Sequence, residues 1–178
     1  MNNITIIPLQ SLNGIPFGAS KADVRKVLGS NYENSIETIN KNKDTFNSEP
    51  VKLIEDSIKA LYKDMGKNPN SFEWPDISEF QEDCDTYPFV QIGYRNNKFV
   101  TATIYAYDFK NLTIYGLDCS NLEIEKLLTL ADDFKWNEES TSWISSFKQI
   151  SIYCSLDKQK MDSITFGCPG YFDFLDKK

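Results

Sequence analysis

The stretch that decides the fold is residues 14–29, which read Gly-Ile-Pro-Phe-Gly-Ala-Ser-Lys-Ala-Asp-Val-Arg-Lys-Val-Leu-Gly. Ser20 stands where a side chain caps a helix, and Asp23 follows three positions later, as in a capping box with Asp in place of Glu or Gln. Gly29 occupies the position where a helix commonly ends. We therefore predict a short helix over residues 20–28. Its apolar face consists of Val24, Val27 and Leu28.

A near copy of this helix lies in the second part of the chain. Residues 120–128, Ser-Asn-Leu-Glu-Ile-Glu-Lys-Leu-Leu, repeat the cap, the acidic third position, the apolar stripe and the lysine. We predict a second helix over residues 120–131 and, as a hypothesis, a duplicated unit. The hypothesis assigns residues 1–178 to a single domain, residues 1–110 and 111–178 to its halves, and residues near 31–86 to an insert.

The rest of the chain alternates between strand and helix patterns. Helical spacing of apolar residues follows Pro50 and ends at Gly66, which predicts a long helix. Alternating Val100, Ala102, Ile104 and Ala106 predict a hairpin over residues 89–107 that turns at Asn96 and Asn97. The other predicted strands lie at residues 4–9, 12–17, 112–115 and 141–145, with a final hairpin at 149–155 and 160–167, whereas residues 132–140 are read as polar and irregular.

These elements predict an α+β fold, with an antiparallel sheet packed by helices and two helix-plus-hairpin repeats. Residues 171–175, Tyr-Phe-Asp-Phe-Leu, are apolar enough to dock against the body of the protein.

Composition limits the function classes. The formal net charge is −7, which argues against general nucleic-acid binding and suits a basic protein partner. The N-terminus lacks a positively charged region followed by an apolar run, and no segment has transmembrane length, so we expect a cytoplasmic protein without membrane contact. In that compartment the four cysteines are expected to be reduced and to act as small buried core residues.

The residues that usually carry chemistry are sparse. Histidine is absent, which removes the commonest general base. Ser145 and Lys148 match a Ser-x-x-Lys dyad formally, but solvated surface residues are the simpler interpretation. Asp83 and Asp85 flank a cysteine without the spacing of a calcium loop, and we interpret them as part of a loop of solvated charges. We therefore predict no catalytic residues, no cofactor and no metal.

One segment has the composition of an interface. Residues 71–94 contain six carboxylates and no lysine or arginine, interspersed with aromatic side chains. Aromatic residues anchor protein interfaces, and carboxylates steer a basic partner. The alternative is that the aromatic residues belong to the core and the carboxylates only face water. The predicted partner-binding residues are Trp74, Asp76, Glu79, Glu82, Asp83 and Asp85.

Residues 14–29 and the terminal Gly-Tyr-Phe-Asp at 170–173 resemble small bacterial immunity proteins of polymorphic and contact-dependent toxin systems. A similar Gly-x-Ser-x-x-x-Val-x-x-x-Leu-Gly phrase opens the helix of BamE-like and β-lactamase-inhibitor-like modules, which pair helices with an antiparallel sheet. The resemblance to immunity proteins implies a cytosolic protein that binds and neutralises one cognate toxin, and it carries over no catalytic residue.

The leading hypothesis is therefore a non-enzymatic immunity protein whose acidic surface faces a basic toxin, with a nuclease as the expected target. Two alternatives stay open: an envelope-assembly or structural module of BamE type, and a hydrolase that uses carboxylates. A lipoprotein leader in the full gene product favours the first alternative. A cleft that holds two carboxylates at catalytic separation favours the second. The oligomeric state is left open.

Overall fold

A computed structural model describes residues 3–42, 49–71, 83–120, 123–155 and 160–173. These residues form the predicted α+β fold, with four α-helices and thirteen strands in two sheets. The helices are α1 (Lys21–Leu28), α2 (Ser35–Asn42), α3 (Glu49–Asp64) and α4 (Ile124–Leu128). The strands are β1 (Ile4–Ile7), β2 (Ser11–Leu12), β3 (Ile15–Pro16), β4 (Glu33–Asn34), β5 (Asp83–Thr86), β6 (Gln91–Arg95), β7 (Lys98–Tyr105), β8 (Leu112–Ile114), β9 (Leu117–Asp118), β10 (Lys135–Asn137), β11 (Ser142–Ser145), β12 (Ile150–Cys154) and β13 (Met161–Gly167).

The two sheets differ in size and in strand direction. The large sheet has the order β10-β11-β12-β13-β7-β6-β5-β4, and all its neighbouring strands are antiparallel. The small sheet has the order β3-β2-β1-β8-β9, and its central pair, β1 and β8, is parallel. This parallel pair departs from the expected antiparallel pairing. Parallel strands need a long crossover connection, and here the chain from α1 to β7 separates β1 from β8.

Both halves of the chain use the same order of elements. Each half begins in the small sheet, continues through a short helix, α1 or α4, and then adds four strands to the large sheet. In the first half, successive strands from β4 to β7 occupy positions from one edge of the sheet to its centre. In the second half, β10 to β13 do the same from the opposite edge. The shared order supports the hypothesis of duplication, which stays a prediction.

Within the described part of the chain, one hydrophobic cluster joins the two sheets. It contains Ile4 and Ile6 from the small sheet, Val24 from α1 and Leu127 from α4. Side chains on the large sheet alternate between its two faces: Ala102 and Ile104 lie in the cluster, while Thr101 and Thr103 face the other side. Burial of this apolar surface is the main force that holds the sheets and short helices together. The other large-sheet members include Ile92, Phe99, Ile150, Ile152, Cys154, Ile164 and Phe166.

The helix predicted from the opening stretch is confirmed. The backbone N–H of Asp23 donates to Ser20 Oγ at 3.2 Å, and Gly29 closes the helix with a φ of 92°. Val24 is buried, but Val27 of the predicted stripe is exposed. The second helix is much shorter than predicted, since α4 has five residues and no side-chain cap. Ser120 does not cap it, because its N–H donates to the Asp118 carboxylate in a turn before the helix.

The predicted hairpin is also confirmed. Asn96 and Asn97 connect β6 to β7 with φ values of 52° and 59°, the left-handed conformation that a two-residue hairpin turn requires. A bulge between Gly93 and Tyr94 shifts the register of this pair, and Val100 is buried but lies outside the hydrophobic cluster. The polar segment 132–140 contains β10, which sequence reasoning missed because its three residues are too short to show alternation.

The long helix predicted after Pro50 is confirmed as α3, and Gly66 follows it with a φ of 70°. Its amphipathic pattern does not mark a buried face among the described residues. Leu53, Ile54 and Leu61 are all more than half exposed. The periodicity therefore predicted the helix correctly without predicting what covers it.

The Ser20 cap allows a direct test of the first helix. Ser20→Ala removes the bond to Asp23 N–H, and we expect the free energy of unfolding to fall by about 1 kcal/mol. Urea denaturation followed by circular dichroism measures the change. Ser30→Ala, at an exposed position just beyond the helix, serves as the control and should leave the midpoint unchanged. Equal midpoints for the two variants would contradict the capping role.

Candidate interaction surface

The six predicted contact residues fall into two groups. Four lie outside the described residues: Trp74, Asp76, Glu79 and Glu82. The other two, Asp83 and Asp85, lie on β5, and their carboxylates are bonded to α1.

Asp85 is fully buried, and both of its carboxylate oxygens are occupied. Arg25 of α1 donates two bonds of 2.8 Å, from Nε to Oδ2 and from Nη2 to Oδ1. Asn34 Nδ2 donates to Oδ1 at 2.7 Å, and the Tyr94 hydroxyl donates to Oδ2 at 2.9 Å. Each oxygen therefore accepts two bonds, and the guanidinium compensates the buried charge.

A second ion pair lies beside this one. Lys21 Nζ is 2.8 Å from Asp83 Oδ1, and Asn34 Nδ2 donates to the same oxygen at 2.9 Å. Lys21 and Arg25 are four residues apart on a helix, about 6 Å along its axis, and the two aspartates are two residues apart on a strand, about 7 Å. Because these spacings match, α1 and β5 are joined by two parallel ion pairs.

Further contacts tie neighbouring elements to this network. The Arg25 guanidinium lies 4.2 Å from the centroid of the Tyr32 ring and 3.1 Å from Glu37 Oε1. Asn34 Oδ1 accepts a bond from the Glu37 N–H at the start of α2. We call the central side chains the Asp85 cluster, and its members are Lys21, Arg25, Asn34, Asp83, Asp85 and Tyr94.

The interpretation of Asp83 and Asp85 as solvated loop charges is therefore wrong. Both lie on a strand and bind internal cations, and Asp85 has no exposed surface with which to contact a partner. The sequence did contain a signal for these ion pairs. Lys21 and Arg25 are spaced to share one face of a helix, and Asp83 and Asp85 are spaced to share one face of a strand. For Trp74, Asp76, Glu79 and Glu82, partner binding stays a prediction.

The cluster also makes stability depend on pH. Burial alone would raise the pKa of Asp85, but hydrogen bonds from Arg25, Asn34 and Tyr94 together outweigh burial and lower it below its usual range. Since the pKa is lower in the folded than in the unfolded protein, the stabilisation is fully present above roughly pH 4. This stabilisation is lost as the pH falls through the pKa that Asp85 has in the folded protein.

Asp85→Asn tests the cluster. The substitution keeps the shape but leaves Arg25 without its buried counter-charge, so we expect the free energy of unfolding at pH 7 to fall by about 3–5 kcal/mol. The gap between the variant and the unsubstituted protein should begin to narrow below about pH 4, where Asp85 of the unfolded chain binds a proton, and should narrow further as the pH falls through the lower pKa of Asp85 in the folded protein. Urea denaturation across this pH range measures both effects.

Asp56→Asn on the exposed surface of α3 is the control, with an expected change within about 0.5 kcal/mol. An Asp85→Asn variant as stable as this control would show that the cluster contributes little.

The opposite face of the large sheet carries a groove of about 410 Å³. Hydroxyl, amide, thiol and aromatic side chains line it, together with glycine backbone, and all of these residues are uncharged. They come from five strands and from the turn after β13. The lining residues are Cys84, Gln91, Gly93, Thr101, Thr103, Ser151, Thr165, Tyr171 and Phe172.

The chain after β13 forms one end of the groove. A Cβ atom placed on Gly167 would lie only 2.6 Å from Tyr171 Cβ, so the tyrosine packs directly on the glycine backbone. Gln149 holds the segment, since its Oε1 accepts from the Phe172 N–H at 2.6 Å and its Nε2 donates to Asp173 Oδ1 at 2.9 Å. The predicted docking of the end of the chain is thus confirmed as far as Asp173, and residues 174 and 175 lie outside the described residues.

Gly167→Ala probes this contact. The added methyl group must displace Tyr171, and we expect a loss of about 1–3 kcal/mol in the free energy of unfolding. In a Tyr171→Ala background the same substitution should cost much less, because the clashing ring is gone. A double-mutant cycle by urea denaturation measures the coupling, and additive losses would contradict the contact.

The formal Ser-x-x-Lys match does not form a dyad. Ser145 is buried rather than solvated, its hydroxyl donates to Asp133 Oδ1 at 2.5 Å, and it accepts a bond from the backbone N–H of Lys148. The Lys148 ammonium lies over the rings of Tyr115 and Phe147 instead. This arrangement fixes the turn between β11 and β12.

All four cysteines are free thiols. Cys119 and Cys154 are buried as expected, and burial raises the pKa of each to about 11, which keeps both protonated at neutral pH. Cys84 and Cys168 are only half-buried, in contrast to the expectation. Burial raises the pKa of Cys168, although the charge of Arg95 acts in the opposite direction.

Comparisons of the chain with protein-family models, with curated proteins and with solved structures find no match. Within the described ranges, no helix combines the length and apolar character needed to cross a membrane. The same ranges contain no cluster of three or more acidic or cysteine side chains able to hold a metal ion. The fold and the groove are therefore the basis for assigning a function.

Proposed function

We propose that this protein is an immunity protein that binds a cognate bacterial toxin in the cytoplasm and neutralises it without chemistry of its own. The observation that carries the proposal is the uncharged groove on the outer face of the large sheet. Its floor belongs to a hydrogen-bonded sheet of eight strands, and its side chains offer both donors and acceptors. Such a surface suits a protein interface, in which polar contacts are shared between partners.

Charge supports a basic toxin as the partner. The net charge of −7 creates an attractive field for a basic domain, and acidic residues before β5 add to it. Nucleases present basic surfaces to nucleic acids, so a nuclease is the target that this charge fits best. Long-range attraction accelerates association, whereas short-range contacts set how long the complex lasts.

The resemblance of residues 14–29 to immunity proteins agrees with this proposal in an indirect way. In the structure the stretch forms α1, and two of its side chains, Lys21 and Arg25, hold the Asp85 cluster. The stretch therefore stabilises the scaffold. Recognition falls to surfaces that α1 does not occupy.

The direct experiment tests the proteins encoded by the genes that flank the gene for this protein, and a flanking gene product that stops cell growth is taken as the neighbouring toxin domain. Co-expression should rescue the growth of cells that produce the toxin, and the two purified proteins should elute together in size-exclusion chromatography. Absence of both rescue and complex would contradict the proposal. Rescue without a complex would point to an enzymatic route.

The role of the acidic segment before β5 is tested by charge reversal of Glu79 and Glu82 to Lys. Asp83 is left unchanged because its reversal would break the ion pair with Lys21. We expect the association rate to fall on the order of tenfold and to depend less on salt.

The matched control reverses Asp56 and Asp64, which are exposed on α3, and so changes the net charge equally. Stopped-flow measurements at several salt concentrations separate a local contact from a general charge effect. Equal slowing of the two variants would remove Glu79 and Glu82 from the interface.

A further inference from the structure

An ordered row of polar side chains crosses the strands on this face, and all of its members except Thr86 line the groove. Ser151, Thr165, Thr103, Gln91 and Thr86 are successive cross-strand partners on β12, β13, β7, β6 and β5. Neighbouring strands lie about 4.8 Å apart, so the row is about 19 Å long. Thr103 Oγ1 and Thr165 Oγ1 are 2.9 Å apart and hydrogen-bonded at its centre. We call this set the hydroxyl row.

Tyrosines border the row on one side. Tyr153, Ser163 and Tyr105 form the next set of cross-strand partners, and Tyr107 stacks on Tyr105 with ring centroids 5.7 Å apart. Tyr107 is 70% exposed and Tyr153 is 47% exposed. Exposed tyrosines beside a polar groove supply the large, amphipathic contact area typical of interface anchors. Tyr171 lies toward the other side.

The lining determines which chemistry can enter. A charged side chain in the groove would lose its hydration without meeting a described counter-charge in the lining, which is unfavourable. Peptide N–H and C=O groups are neutral, and hydroxyls and a Gln amide can both donate to and accept from them. Glycine backbone at Gly93 forms part of the floor.

We propose that the groove receives an uncharged polar loop of the partner protein, laid across the strands along the hydroxyl row with its flank on Tyr105, Tyr107 and Tyr153. The inference rests on the proposed function in one respect, namely that the partner is a protein. The volume of about 410 Å³ admits the tip of a loop, and the tyrosines contact its base. Binding therefore has two separable parts: salt-sensitive acidic steering and salt-insensitive contact in the groove.

The test uses a phage-displayed library of random loops, each closed by a cysteine pair, selected on the full chain. Loops enriched on the unsubstituted protein should be poor in Lys, Arg, Asp and Glu at their tips. Thr165→Arg fills the centre of the groove and should abolish their binding. Thr113→Arg, at a half-buried position on β8 in the small sheet, is the matched control and should bind the loops normally.

A milder pair of variants guards against misfolding. Thr103→Val with Thr165→Val removes two hydroxyls without changing side-chain shape and should weaken the selected loops roughly tenfold, with little change in salt dependence. Thr5→Val with Thr113→Val removes the corresponding cross-strand pair of the small sheet and should have no effect. Circular dichroism melting confirms that each variant is folded.

Absence of enriched loops, enrichment of charged tips, or equal binding to the Thr165→Arg and Thr113→Arg variants would overturn the inference. These outcomes differ from those expected if the proposed function is wrong. If the protein is not an immunity protein, the neighbouring toxin domain does not bind the unsubstituted protein at all. If the toxin binds and Thr165→Arg binds it equally well, only the groove inference fails.

Discussion

The ion pair between buried Asp85 and partly exposed Arg25 is the interaction on which the rest of the structure depends. A carboxylate without exposed surface is tolerated only because it accepts four hydrogen bonds, two of which come from the Arg25 guanidinium. Since the donors come from α1, β4 and β6, forming the pair brings three elements to β5 at once. The ion pair of Lys21 with Asp83 fixes the same helix at a second point. Hydrophobic burial supplies the driving force, and this polar network selects one arrangement of α1 on the large sheet.

The two faces of the large sheet differ in composition, and the proposed recognition role belongs to the outer one. One face contributes Ile92, Ile104, Ile152 and Phe166 to the single core, while the other carries the hydroxyl row and the groove. The period of two along each strand makes this division possible, because alternate side chains face opposite sides. Substitutions on the outer face can therefore change recognition without disturbing the core. Gly167 is an exception, because Tyr171 packs against its backbone.

The sequence predicted those features that depend on local rules. The Ser20 cap, the Asn96–Asn97 turn and the alternation of β12 and β13 follow from backbone preferences and periodicity, and all are confirmed. Three features depend on contacts between distant segments and were not predicted: the parallel pairing of β1 with β8, the ion pairs of β5 and the groove. Asp83 and Asp85 illustrate the reason, since an acidic strand resembles an acidic loop until the basic helix that faces it is known. The short α4 shows that sequence similarity can also mislead. Residues 120–128 resemble residues 20–28, but α4 is shorter than α1 and lacks a side-chain cap.

The central claim is that the outer face of the large sheet is the surface that binds the partner. Hydroxyl-radical footprinting of the complex with the neighbouring toxin domain tests it most directly, because exposed tyrosines report their own burial. The account predicts that oxidation of Tyr105, Tyr107 and Tyr153 falls on binding, while that of Tyr115, which is 47% exposed near the small sheet, stays the same. Protection of Tyr115 and Phe147, with the three groove tyrosines unchanged, would contradict it.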